Sequence, residues 1–242
     1  MSLRAAAGNQ RLGHSGEPRW VRRIGASTLA RVPIRRIRCH RSFATTGHES
    51  LWEDQRQLAE IKPAEFYEVY GAKRQYFYHV NLSGQLFIED AVPKNLTSCL
   101  KNDKFLDFFF SRLQPNETGE HEDYPLCSPC GREMNFIKPA DKAGGIVLTD
   151  FDGSMEGSFR YGATGCQPLD PASLMFSSSG RLYHGLTSHR ASKGLGGVAL
   201  VKSHVALTLC EDGLVEFGDE GFEGSFFIWR GERHPIRLLP TN

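Results

Sequence analysis

Among the residues whose types and spacing suit chemistry, the densest run is Leu126-Cys127-Ser128-Pro129-Cys130-Gly131-Arg132-Glu133-Met134-Asn135-Phe136. It gathers two thiols, a guanidinium and a carboxylate around a Pro and a Gly, just ahead of a strand-like segment. A C-x-x-C pair is redox-active when a helix N-terminus or a nearby cation lowers one thiol pKa. Here a strand pattern follows the pair instead. A zinc site would need a second Cys/His pair, and Cys166, Cys210 and His184 are scattered. One structural alternative is a turn in which Arg132 and Glu133 make structural hydrogen bonds, one facing the sheet and one facing solvent. The functional alternative is an anion site: the planar fork of Arg132 holds an acidic group, with Glu133 and Asn135 beside it. In an enzymatic version Cys130 is the nucleophile and Arg132 steadies a developing negative charge.

The second run is Gly180-Arg181-Leu182-Tyr183-His184. Arg181 and Tyr183 at a strand end suit an acid or a phosphate, and His184 titrates near neutral pH as an acid/base would. A lone histidine also serves as a plain packing residue. The sequence contains no nucleophile elbow, P-loop, dinucleotide-binding glycine pattern or H-E-x-x-H zinc signature. Gly194-Leu195-Gly196-Gly197 lacks phosphate-loop spacing and reads as a turn.

These residues must be positioned by short elements. Gln75–Val80 and Gln85–Ile88 alternate like paired strands around the turn-forming Asn81-Leu82-Ser83-Gly84. The spacing of Leu96, Cys99 and Leu100 suggests a short helix. A second helix begins at Asn102 or Asp103, either able to cap it, and carries Phe105, Leu106, Phe108, Phe109, Phe110 and Leu113 on a broad apolar face. That face reads as core rather than as a cofactor box. Residues 114–126 read as a polar loop. Strands follow near 135–137, 145–149, 158–161, 180–183, 197–202 and 226–229, with a closing segment near Ile236. Asp170–Ser173 suits a single helical turn, and Ser203–Leu209 fits helix or strand. The class is α+β with mainly antiparallel sheet. Gly84-Gln85-Leu86-Phe87 and Gly180-Arg181-Leu182-Tyr183 echo each other, so two related lobes, 74–150 and 151–242, stand beside a single 74–242 domain.

Residues 1–43 hold ten arginines, no lysine and one acid, a charge of +9 in a chain of +1. The remaining 44–242 is therefore −8. Trp20, Val21, Ile24, Thr28 and Val32 share a helical face opposite Arg19, Arg22 and Arg23. An Arg-rich, acid-poor, amphipathic leader is expected to be a mitochondrial presequence, cut near Arg41-Ser42-Phe43-Ala44, with the import and processing machinery as its partner and the matrix as destination. Residues 44–73 read as a linker and one charged helix over Glu49–Ile61. An acidic mature domain argues against nucleic acid as ligand, and no stretch is apolar enough to predict a membrane span. The five cysteines beyond the leader form no disulfide framework.

Tyr76-Phe77-Tyr78, Gly84-Gln85-Leu86-Phe87, Lys94-Asn95, Phe109-Phe110-Ser111-Arg112-Leu113, Ser128-Pro129-Cys130-Gly131-Arg132-Glu133-x-Asn135-Phe136 and Gly180-Arg181-Leu182-Tyr183-His184 together resemble uncharacterised protein family 0598. The resemblance implies a mitochondrial protein and no particular reaction. Its motif includes Cys130 but not Cys127, which draws interest away from a thiol pair. The expected activity is binding of a small anionic ligand or a protein partner at a cleft between the 128–136 turn and the 180–184 strand. A matrix enzyme using Cys130 or His184, and an assembly factor docking through the Phe-rich helix, are the alternatives. No cofactor is specified.

Overall fold

A computed structural model describes residues 61–141, 143, 145–186, 197–219 and 221–240. The leader, the helix expected over 49–61 (save Ile61) and most of the 194–197 turn lie outside them. The described chain is α+β, with three helices and mostly antiparallel sheets.

Sheet A has the order β2-β1-β5-β4-β3, built from β1 (Gln75–Val80), β2 (Leu86–Ile88), β3 (Gln114–Pro115), β4 (Leu126–Cys130) and β5 (Glu133–Pro139). Sheet B has the order β16-β10-β11-β12-β6, from β6 (Val147–Leu148), β10 (Leu174–Phe176), β11 (Leu182–Gly185), β12 (Val198–Val201) and β16 (Arg237–Leu238). Two three-stranded antiparallel sheets complete the strands: β7 (Asp150–Asp152), β8 (Ser158–Tyr161) and β9 (Gly165–Pro168); and β13 (Val215–Gly218), β14 (Gly221–Trp229) and β15 (Glu232–Pro235). The helices are α1 (Ala64–Ala72), α2 (Asp103–Ser111) and α3 (Ser203–Glu211).

Strand alternation gives sheet A two different faces. Tyr78, Val80, Leu126 and Ile137 point into the main core, where Phe109 and Phe110 of α2, Val205 and Leu209 of α3, and Leu174, Leu182 and Leu200 of sheet B meet them. Phe77, Cys127 and Phe136 point the other way and form a second cluster with Tyr124, covered by Phe66, Tyr67 and Tyr70 of α1. Asn102 caps α2 by accepting from the Phe105 N–H at 2.9 Å. The phenylalanine-rich face then packs inward as expected, and Arg112 lies 3.6 Å over the ring of Phe108, the one half-exposed phenylalanine on this helix.

Two expectations meet differences, and one left open between helix and strand is decided. Residues 96–100 make one turn, not a helix, because the Asn95 side chain accepts from the Thr97 and Ser98 N–H groups and competes with a helical ladder. Residues 126–130, expected as a loop edge and tight turn, are strand β4. Pro129 fits there because Cys130 and Glu133 flank a two-residue loop as a hydrogen-bonded pair, which leaves Pro129 opposite Met134 at a non-bonded position. Gly131, at φ 69°, takes the first loop position and Arg132 the second, the pattern of a type II′ turn. Ser203–Glu211 resolves to helix.

The two hairpins that echo in sequence also match in hydrogen bonding. Asn81 N–H donates to Gln85 O, Gly84 N–H to Asn81 O, and Gln85 N–H to Asn81 Oδ1. Ser177, Gly180 and Arg181 repeat the set, with Ser177 Oγ in place of the amide oxygen. Gly84 and Gly180 have φ of 78° and 83°, which any side chain would strain. In each of the two large sheets the last strand in chain order lies parallel to an earlier one, β5 beside β1 and β16 beside β10. Strand β6 precedes residue 150 yet joins sheet B through β12, so a division at 150 does not part the two sheets.

Candidate functional site

The 128–135 motif lies on the core-facing side of sheet A at the Gly131-Arg132 end. Alternation places Ser128, Cys130, Glu133, Asn135 and Tyr78 on that one face. Ser128 Oγ donates to the Phe109 carbonyl at 2.8 Å and lies 3.5 Å from Cys130 Sγ. Asn135 is fully buried. Its Nδ2 donates to Ser128 O at 2.8 Å, while its Oδ1 has no hydrogen-bond partner among the described residues. Burial, with the Glu133 carboxylate nearby, pushes the Tyr78 phenol up to about 12. Arg132 is exposed at the hairpin tip and has no hydrogen-bond or ion-pair partner among the described residues.

Cys127 points to the opposite face from Cys130, into the aromatic cluster, where burial raises its thiol pKa. Two cysteines on opposite faces of one strand cannot bridge or share a metal. Among the described residues no group of three or more His, Cys, Asp or Glu is placed to hold one, and no helix is long and apolar enough to cross a membrane.

Arg181 and Tyr183 meet each other, but not the hairpin. Arg181 Nη1 and the Tyr183 hydroxyl both donate to Asp141 Oδ2 at 2.9 Å, and the Ala143 N–H donates to Asp141 Oδ1 at 2.9 Å. Asp141 follows β5, so it lies roughly 25 Å of extended chain from the hairpin tip. The expected cleft between the two motifs therefore does not form. Instead, Asp141 ties the end of sheet A to β11 of sheet B. Burial, then the carboxylate, holds Tyr183 above the usual phenol range, so it remains a donor.

His184 takes the other face of β11 from Tyr183. It is completely buried, with its Nε2 accepting from the Asp170 N–H at 2.9 Å and its ring 5.2 Å from that of Phe159. Burial lowers its pKa. It makes no hydrogen bond with Cys130, and its Nε2 lone pair is already in use, so the two do not form a nucleophile–base pair.

A further centre lies on the outer face of sheet A, beside α1. The buried Glu89 carboxylate accepts from Tyr67 at 2.9 Å and Tyr124 at 2.5 Å, both on Oε2. Burial and the carboxylate raise both phenols. Lys138 Nζ is 3.4 Å from Glu89 Oε1 and 3.3 Å from Asp123, and sits 4.4 Å over the Tyr124 ring. The pair with Oε1 lacks hydrogen-bond geometry, which leaves that oxygen buried without a hydrogen bond among the described residues. His79, beside Lys138 in the β1–β5 register, is 9% exposed, and its Nε2 has no hydrogen-bond partner among the described residues. Burial, with Lys94 and Lys138 nearby, holds its pKa down to about 4.

The model of a family described as a domain of unknown function (DUF4505) matches residues 68–238. The chain belongs to this family. The matched span holds both sequence motifs, Asp141, and all of the Glu89 centre except Tyr67. Among solved structures, the chain is similar to a DUF1285 family protein from Silicibacter pomeroyi DSS-3 (13% identity, 68% of this chain and 82% of that one, TM-score 0.42). It is also similar to a DUF1285 family protein from Shewanella baltica OS155 (13% identity, 57% of this chain and 92% of that one, TM-score 0.37).

Sequence reasoning passed over Asp141, Glu89, His79, Lys138 and Tyr124. None sits in a compact motif, and each acquires its neighbours only through sheet pairing. The one available signal was period-2 alternation in Gln75–Val80, where His79 and Phe77 share a face.

Proposed function

We propose that this domain is a small-ligand-binding module of the mitochondrial matrix, with its ligand held at the β4–β5 hairpin. The observation that carries this reading is the convergence of Tyr78, Ser128, Cys130, Glu133 and Asn135 on one sheet face, with the buried Asn135 Oδ1 unpartnered. A buried acceptor without a donor is uncommon in a folded protein and costs about 1–3 kcal/mol unless something satisfies it. A ligand that donates to Asn135 and presents its acidic group to Arg132 at the tip uses both features. Family 0598, the Arg-rich leader and the cut near Phe43 complete the reading and supply the address. The matched hairpin turns support two related halves.

Native mass spectrometry of protein purified from mitochondria tests the site. Wild type is expected to retain a small molecule that Arg132→Glu and Asn135→Leu lose while keeping the wild-type circular dichroism spectrum. Equal retention by both variants overturns the site. Import of a fluorescent fusion tests the address, which fails if deleting residues 1–43 leaves mitochondrial uptake unchanged.

A further inference from the structure

We propose that the outer face of sheet A carries a second, separate site, built from His79, Glu89 and Lys138, that binds hydrogen phosphate. Two of the four buried side-chain polar atoms without a hydrogen bond among the described residues, His79 Nε2 and Glu89 Oε1, belong to this one centre. Both are next to Lys138: His79 in the strand register, and Glu89 Oε1 at 3.4 Å from its ammonium. Glu89 N–H donates to Phe77 O, two residues along β1 from His79, so the two side chains are diagonal neighbours about 7–8 Å apart.

The chemistry of the three groups selects the ligand. Lys138 only donates, ionised Glu89 only accepts, and a neutral imidazole nitrogen does one or the other according to tautomer. A fitting ligand therefore needs at least one anionic oxygen for Lys138 and at least one O–H for Glu89. Hydrogen phosphate carries both at neutral pH and satisfies either state of His79 Nε2. Sulfate has the same shape and charge but no O–H, so it would press an oxyanion against Glu89. A phosphate monoester in its dianionic form has the same defect.

The other charged and titratable groups around the site are consistent with this reading. Oε2 of Glu89 is taken by Tyr67 and Tyr124, so Oε1 is the oxygen left to the ligand. Asp123 is paired with Lys62 at 2.9 Å as well as with Lys138. Lys94 Nζ donates to the Glu89 and Ala91 carbonyls, which fixes a second positive charge close to His79. Lys138 is 17% exposed, which gives the site a way to solvent.

Isothermal titration of the full chain at pH 7 with inorganic phosphate and sulfate tests the proposal. Saturable phosphate binding is expected, with sulfate at least about tenfold weaker, the scale of one hydrogen bond to a charged group. Glu89→Gln, which replaces an acceptor by a donor at one atom, is expected to bring phosphate and sulfate within about threefold. Should that variant not fold, the His79 imidazole resonances of wild type decide: they are expected to move saturably with phosphate and not with sulfate. Equal binding of phosphate and sulfate, phosphate binding that leaves the His79 resonances in place, or no saturation by about 10 mM phosphate overturns the site. The hairpin site lies on the other face of the sheet, and its variants leave this titration unchanged.

Discussion

Removing the carboxylate at Asp141 should loosen the joint between the two large sheets. In Asp141→Ala, the Tyr183 hydroxyl, on a residue only 3% exposed, loses its acceptor. An unmet buried hydroxyl costs about 1–3 kcal/mol. The Ala143 N–H also loses its partner at 2.9 Å, at about 0.5–1 kcal/mol. Arg181 contributes little, because its side chain is 42% exposed and water replaces the lost ion pair, so at most about 1 kcal/mol goes with it. The sum is about 3 kcal/mol, or a fall in Tm of about 6–12 °C for a domain of this size. Urea unfolding followed by fluorescence measures it. A double variant separates the causes: Asp141→Ala with Tyr183→Phe removes the stranded hydroxyl and should recover about 1 kcal/mol relative to Asp141→Ala alone. A loss below about 0.5 kcal/mol for Asp141→Ala, or no recovery in the double variant, would refute the tie.

Acid should destabilise the fold through His79. Its folded pKa is depressed to about 4 from 6.5, so below pH 6.5 the unfolded chain takes up the proton first. Stability present above pH 6.5 is lost as pH falls toward 4, on the order of 3 kcal/mol in all. His184, also lowered, adds in the same direction. His79→Phe should flatten the stability–pH curve over this window, and an unchanged slope would count against it. Native iodoacetamide labelling should modify exposed Cys166 and half-buried Cys130 and spare Cys127 until unfolding, as read by peptide mass spectrometry. Early labelling of Cys127, or a Cys127–Cys130 disulfide under mild oxidation, contradicts the opposed-face geometry.

The local parts of the fold were legible in sequence because local physics makes them. Asn102 with the phenylalanine run specified α2, and the Asn81–Gly84 turn specified the β1–β2 hairpin. What escaped was decided at a distance. Leu126–Cys130 read as a turn because of Pro129 and the adjoining Gly131, yet pairing with β5 makes it strand through Cys130. Ser203–Glu211 satisfied two periods equally, and the core contacts of Val205 and Leu209 chose helix. The candidate residues divided in the same way. Cys130, Glu133 and Asn135 share a face because they are close in chain and opposed in a hairpin. Arg181 and His184 looked like one constellation only while the alternation of β11 was set aside. Asp141, which gathers Arg181 and Tyr183, has no motif around it at all.

The parallel closure of each large sheet has a consequence for the order in which the chain organises. Gln75 pairs with Met134, and Met175 with Arg237, so each sheet is joined across roughly 60 residues, where loop closure is paid before any contact returns it. A chain emerging from a ribosome can form the β1–β2 hairpin and α2 at once. Strand β1 then keeps one edge unpaired until residues 134–139 arrive, and β10 waits for Arg237 and Leu238, roughly 60 residues further along the chain. Loss of those few residues would leave β10 with an open edge, a template for pairing with another chain.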